Sequence, residues 1–415
     1  MKEIIRAKIL DAVAKDEKEI LEFTKELIAV ATENPPGAYY RLCVEKIKNK
    51  LSEIGLGHEV IEVPNPVPDG KAETHPRYCI LSSFGTGKNT LYFHGHYDVV
   101  PASEEGQFHP VVKNGNLYGR GSSDMKSGIA AMIYAVKAIK TSGIDLNGRI
   151  GLTIVPDEET GGVRGAKYLA DIGVLGKDGI GMLLPEPTSG VIWNANRGAI
   201  SLRITIKGKP AHVCLHFQGI NAFENMHVVV GELLKLKKEV ESRTTNYNLK
   251  PDQARHSILM MGGQTIGGSN FNTVPGECSF TIDRRINPEE DLEIEKQRLL
   301  TLLEELKKNG IDMEIEVLQQ GESVGVSKDH PIAQILAGNI MAITGKRPKF
   351  EMCPGLLETR FYAKKGMPAF AYGPGLLSVS HGPDEYVSVN NILTCTSIYA
   401  LTALDVLSNG EKKQP

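Results

Sequence analysis

The chain lacks an excess of either charge: 47 Lys and Arg stand against 50 Asp and Glu, a formal net charge of −3 over 415 residues. No basic run or patch breaks that balance, which argues against nucleic acid as a partner. Long apolar runs are missing too. None is read as approaching the ~20 residues that a membrane-spanning helix needs, and Met1-Lys2-Glu3-Ile4 does not follow the plan of a signal peptide. Cysteine is sparse. Cys43, Cys79, Cys214, Cys278, Cys353 and Cys395 are scattered without CxxC spacing, so they read as reduced, mostly buried thiols and a cytoplasmic setting is expected. There is no internal repeat. Low complexity is confined to the Glu411-Lys412-Lys413-Gln414-Pro415 tail, which is expected to fray.

What is present is length enough for two domains and a large core. Helical apolar spacing covers residues 3 to 32 and stops at Asn34-Pro35-Pro36-Gly37. A second helix is expected over 40–55, then strands over 58–63, 78–82 and 89–94, a helix over 128–142, a buried strand over 149–156, a helix over 163–171 and a short strand over 182–185. Strands alternating with helices predict an α/β unit with a largely parallel sheet between helices. The pattern changes near residue 197. A half-exposed strand over 198–207, a helix over 222–241, strands near 257–262 and 278–285, a helix over 288–308 capped by Asn287, and a strand over 313–319 give the β-α-β-β-α-β order of a ferredoxin-like sandwich. Residues 328–415 return to the α/β style. The expected organisation is a catalytic domain in two segments, 1–196 and 320–415, with a smaller domain, 197–319, inserted between them.

Acidic and histidine clusters stand at expected strand ends. In His94-Gly95-His96-Tyr97-Asp98 the alternating side chains put residues 94, 96 and 98 on one face. An imidazole there suits a metal, and Asp98 could fix its tautomer; spacing does not choose between His94 and His96. Asp124, in a Gly-rich turn before a helix, could bridge two cations or simply cap the helix. Adjacent buried carboxylates repel, so Glu158-Glu159 suggests a division of labour, one Glu binding metal and the other acting as general base. A solvated acidic turn is the plain alternative. Glu186 ends another apolar strand. His381, followed by Gly382-Pro383, taken alone reads as structural.

Taken together, these segments resemble the dizinc amidohydrolase family of acetylornithine deacetylase, succinyl-diaminopimelate desuccinylase, aminoacylase and glutamate carboxypeptidase. The matching stretches are Asn34 to Gly37, His94 to Pro101, Tyr118 to Gly128, Asp157 to Gly162, Glu186-Pro187-Thr188, Gly208 to His212, Asn272 to Pro275, and Tyr372 to Gly375 with His381. The resemblance implies two Zn²⁺ per subunit, with Co²⁺ or Mn²⁺ as substitutes. His96 and Glu186 would hold one ion and Glu159 and His381 the other, with Asp124 bridging, Asp98 orienting His96 and Glu158 acting as general base and acid. It implies that the inserted domain is a dimerisation lid whose His212 reaches the partner's site to stabilise an oxyanion. Asn272, Arg285 and Arg360 would bind substrate, and a cis peptide would follow Asp124. The implied activity is hydrolysis of the amide of an N-acyl amino acid by a homodimer, without nucleic acid or membrane. A dipeptidase or carboxypeptidase, and a non-catalytic binding protein that kept the fold, are the alternatives. The chain departs from the family pattern at Pro185, at Glu358-Thr359 before Arg360, and at Val213-Cys214-Leu215-His216 after His212. These changes touch the substrate pocket rather than the metal ligands.

Overall fold

The structure, a computed structural model, describes residues 2–65 and 74–408; the tail expected to fray lies outside them. It divides into two compact units. The first comprises Met1–Asn194, Val326–Phe350 and Phe361–Pro415, and the second comprises Ala195–Gly325 and Glu351–Arg360. Arg360, expected with the second catalytic segment, therefore belongs to the inserted unit.

The first unit is an α/β fold on a mixed sheet. The segment Arg77–His96 is one continuous extended stretch where the sequence suggests two strands. Its register against Asn147–Val155 runs from Ile80 opposite Ile154 to Thr86 opposite Asn147, then returns from Thr90 opposite Arg149 to His96 opposite Val155. Gly85 and Gly87, at φ 101° and 104°, make that reversal, in backbone space that side-chain-bearing residues rarely enter. The second arm lies parallel to Gly179–Leu184, which lies parallel to Ala369–Ala371. Antiparallel neighbours flank this parallel core: His58–Val63 on one side and Ile192–Asn196 on the other.

Helices cover the sheet through apolar faces. In Lys126–Thr141, Ile129, Met132, Ile133 and Val136 are all buried. The region 3–32 forms two helices rather than one, Lys2–Lys15 and Glu17–Ile28. Val389–Ser408 corrects the reading that no apolar stretch approaches membrane-spanning length. It is 20 residues long with mean hydropathy 1.2, but 72% of that stretch is buried inside the unit, where it packs on Lys126–Thr141 and Pro331–Thr344. It is the one described helix long and apolar enough to span, and its burial marks it as a core helix.

The second unit has a four-stranded antiparallel sheet in the order Met313–Gly321, Gly198–Lys207, Glu277–Ile286, Ile258–Gly267. Ile200, Leu202, Ile204 and Ile206 alternate onto the face covered by Ala222–Val240 and Leu292–Lys308. The latter helix begins four residues later than its sequence suggests. Asp291, not Asn287, is the cap, its side chain accepting from the amide of Ile294. Asn287 instead accepts from Arg197 Nε at 3.2 Å, and Glu290 is drawn into a half-buried network with Arg284, Arg243 and Ser257. Electrostatic partners thus override the local capping signal.

Candidate metal centre

Parallel strands deliver functional residues at their carboxyl ends, and here three strands do so. His96 ends Arg77–His96, Glu158 and Glu159 follow Asn147–Val155, and Glu186 follows Gly179–Leu184. Asp124 comes from the turn before Lys126–Thr141, across a cis peptide to Met125 as expected. His381 comes from the loop beyond Ala369–Ala371, at a left-handed φ of 64°.

The side chains converge. Asp124 Oδ1 lies 3.3 Å from His96 Nε2, and Oδ2 lies 3.4 Å from His381 Nε2. His96 Nε2 is 3.7 Å from Glu186 Oε1, and His381 Nε2 is 3.2 Å from Glu159 Oε2. Two groups able to hold a cation result, His96–Asp124–Glu186 and Asp124–Glu159–His381, and they share Asp124. Buried polar atoms normally find hydrogen bonds. His96 Nε2, Glu159 Oε1 and Glu186 Oε1 are buried without one, and all three belong to these groups. Imidazole nitrogen and carboxylate oxygen are the donors that suit Zn²⁺, so the residues fit a pair of divalent ions.

Electrostatics agree. His96 is held well above its ordinary value of 6.5: burial opposes its charge, but Asp124 and Asp98 outweigh burial. His381 is raised to about 10 by Asp124 and Glu159. Glu186 is raised well above 4.5 by burial and by the charges of Asp124, Glu158 and Glu159. Burial likewise raises Glu159. These directions follow from carboxylates and imidazoles crowded together in a buried site.

The neighbours of the ligands are ordered too. Asp98, fully buried, has Oδ1 3.3 Å from His96 Nδ1, although that nitrogen also faces the Asp98 carbonyl at 3.0 Å. Asp98 also accepts from the amides of Glu158 and Glu159 at 3.2 and 3.1 Å and from Asn34 Nδ2 at 2.9 Å. One carboxylate thus ties His96 to the Glu pair. His94 does not join: its Nδ1 meets Tyr362 Oη at 3.0 Å. That resolves the ambiguity between the two histidines by a partner 268 residues away.

Sequence reasoning assigned no role to Asn34, Arg120, Lys126 or Glu385. Glu385 Oε1 accepts from the amides of Ser123 and Asp124 at 2.9 and 3.0 Å, and Oε2 pairs with Arg120 at 2.6 Å. Lys126, buried and pushed down to about 8 by that burial, donates to the carbonyls of Leu27 and Val30 at the end of helix Glu17–Ile28. The available signal was a cation set between glycines in Gly119-Arg120-Gly121 and a Glu four residues after His381.

The remaining expected residues lie in the second unit. His212 is exposed and accepts the Cys214 amide at Nδ1, 3.2 Å away, which leaves the Nε2–H tautomer for the neutral ring. Its segment pairs with Thr273, and Val213 donates to the carbonyl of Asn272, so His212 and Asn272 lie side by side. Arg285 makes paired contacts with Asp283, Nε to Oδ1 and Nη2 to Oδ2, both 2.9 Å. Arg360 is buried and donates to the Leu357 carbonyl at 2.6 Å. All six cysteines are free thiols, and only Cys214 is exposed.

An α/β sheet that gathers imidazoles and carboxylates at its carboxyl edge around one shared aspartate has the layout of a metallohydrolase. Residues 92–405 match the model of peptidase family M20/M25/M40. The chain belongs to that family and is a hydrolase acting on amide or peptide bonds. It is 25% identical over 411 residues to a probable succinyl-diaminopimelate desuccinylase of Staphylococcus epidermidis, covering 92% of this chain and 96% of that one. It is 29% identical over 357 residues to a succinyl-diaminopimelate desuccinylase of Gluconacetobacter diazotrophicus, covering 83% and 87%. Its fold matches that of the di-peptidase Dug1p from Saccharomyces cerevisiae with a TM-score of 0.77 at 16% identity, over 98% of this chain and 99% of that one.

Proposed function

We propose that this protein is a dizinc hydrolase that removes the acyl group from an N-acyl amino acid, in the manner of acetylornithine deacetylase or succinyl-diaminopimelate desuccinylase. The observation that carries this reading is the pair of ligand groups sharing Asp124. The curated relatives, named as desuccinylases, support the substrate class. In this reading His96, Glu186 and Asp124 hold one ion and Asp124, Glu159 and His381 the other. Bound there, the ions would supply Lewis-acid polarisation of the amide carbonyl and a water acidic enough to react near neutral pH.

The chain's own residues do the rest. Glu158 is the general base that takes the proton of the attacking water and returns it to the leaving amine. Asp98 holds His96 in one orientation. His212, through Nε2–H, donates to the developing oxyanion in the site of a partner copy. Arg285 grips the substrate carboxylate through the part of its planar fork turned away from Asp283, with Asn272 and Arg360 completing the substrate contacts. Exposed apolar side chains near His212 support a homodimer formed by the inserted unit: Phe217 at 71%, Phe223 at 57% and Phe271 at 98%. Buried free thiols support a reducing, cytoplasmic compartment.

A dipeptidase is the second reading, favoured by the fold match to a di-peptidase. Acetylornithine, succinyl-diaminopimelate, other acyl amino acids and dipeptides tested side by side separate the two. Activity should vanish on chelation and return with Zn²⁺ or Co²⁺. Glu158→Ala should abolish turnover and keep both metals. Activity that survives full metal removal, or loss of metal in Glu158→Ala, overturns the assignment.

A further inference from the structure

A buried ion pair stands behind the candidate centre. Arg120 and Glu385 are 2.6 Å apart, with side chains 1% and 0% exposed. Most of their remaining bonds go to the backbone of two ligand residues and their chain neighbours; Arg120 Nη2 also donates to the Pro101 carbonyl at 3.4 Å. Glu385 Oε1 accepts the Asp124 amide at 3.0 Å and the Ser123 amide at 2.9 Å. Arg120 Nη2 donates to the His381 carbonyl at 3.2 Å, and Nη1 to the Gly382 carbonyl at 3.2 Å. Gln107 adds donors to the carbonyls of Gly382 and Pro383 at 3.0 and 2.9 Å.

The two loops bound in this way carry Asp124 and His381. His381 has the left-handed φ of 64°, a conformation that a side-chain-bearing residue keeps only where its surroundings over-determine it. It is also the most exposed ligand, with its side chain at 50%, so the fold gives it little packing of its own. The other group differs. His96 and Glu186 stand at the ends of buried strands, and His96 is set by Asp98.

We infer that Arg120 and Glu385 are positioning residues that set the second metal position, formed by Asp124, Glu159 and His381, while the His96–Asp124–Glu186 position depends far less on them. This rests on the two-metal reading above. Partners of this kind typically change metal affinity by ~10–100-fold.

The test is titration of the metal-free full chain with Zn²⁺ against a competing chelator, and with Co²⁺ followed by its visible absorption. The native chain, Glu385→Gln, Arg120→Met and Arg120→Lys are compared, with circular dichroism reporting the fold. Glu385→Gln keeps the shape and an oxygen for the amides but loses the charge. The inference expects the affinity for one Zn²⁺ to change by less than ~3-fold and the second to weaken by ~10–100-fold in Glu385→Gln and Arg120→Met, with partial rescue in Arg120→Lys. The absorption of the second Co²⁺ equivalent alone should change. Equal weakening of both ions, no weakening, or loss of the fold in both Glu385→Gln and Arg120→Lys overturns it. If the native chain takes up fewer than two Zn²⁺, it is the two-metal reading that fails.

Discussion

Asn34 offers a sharp test of how the centre is held. It is 3% exposed, and its Nδ2 lies 2.9 Å from Asp98 Oδ2, 3.0 Å from Thr160 Oγ1 and 3.4 Å from Asp157 Oδ1. Asn34→Ala removes a charge-assisted hydrogen bond from a fully buried carboxylate, worth ~1.5–3 kcal/mol. The Thr160 hydroxyl still donates to Asp157 at 2.7 Å, so its share of the loss is small. The expected destabilisation is ~2–3 kcal/mol, which for a unit of this size lowers Tm by ~3–5 °C. Calorimetry on metal-free protein reads this directly, because bound metal would add its own stabilisation. Asn34→Asp should be worse at neutral pH, since it sets a third carboxylate beside Asp98 and Asp157. A change in Asn34→Ala within ~0.5 kcal/mol, the range of an ordinary surface substitution, would refute the claim that Asn34 holds Asp98.

Gly373 lies against the backbone that carries Glu186: a Cβ there would stand 2.3 Å from the Glu186 carbonyl oxygen and from the carbonyl carbon and oxygen of Pro185. Gly373→Ala should cost ~1–3 kcal/mol and weaken Zn²⁺ binding in a chelator titration. Gly338→Ala, in a helix with nothing within 4 Å of the added carbon, should instead stabilise by ~1 kcal/mol; equal effects of the two would contradict the packing argument. In the second unit, burial opposes the charges of Glu290 and Glu295, but hydrogen bonds and the guanidinium groups of Arg284 and Arg243 hold both below their ordinary 4.5. A depressed carboxylate contributes stability that is complete above about 4.5 and lost as pH falls through its lower folded value. Protection of the amides in the strand Glu277–Ile286, taken relative to the unfolded-chain exchange rate at each pH, should therefore fall below that pH. Arg284→Met should speed exchange at pH 7, with the gap to the native chain closing in acid; a gap independent of pH would count against the network.

The α/β class, the inserted β-α-β-β-α-β order and the clustering of acidic residues at strand ends were legible because they follow local periodicity. What was not legible depends on distant partners. His96 and His94 share a strand face, and Tyr362 separates them. The helix start moved from Asn287 to Asp291 because Arg284 and Arg243 claim Glu290. Arg120 stands in a stretch already singled out and Glu385 just beyond His381-Gly382-Pro383, but their pairing across 265 residues leaves no spacing to read. Val389–Ser408 hid its length because Thr, Ser and Asn interrupt its apolar residues, while burial inside the unit lets those short polar side chains bond to their own helix, as Thr396 does to the Ile392 carbonyl.

The most direct test of the account is a crystal structure of the zinc-soaked protein with anomalous scattering measured at the zinc edge. Two peaks per chain are predicted, both touching Asp124, one flanked by His96 and Glu186 and the other by Glu159 and His381. A single peak, or zinc bound away from Asp124, would contradict it.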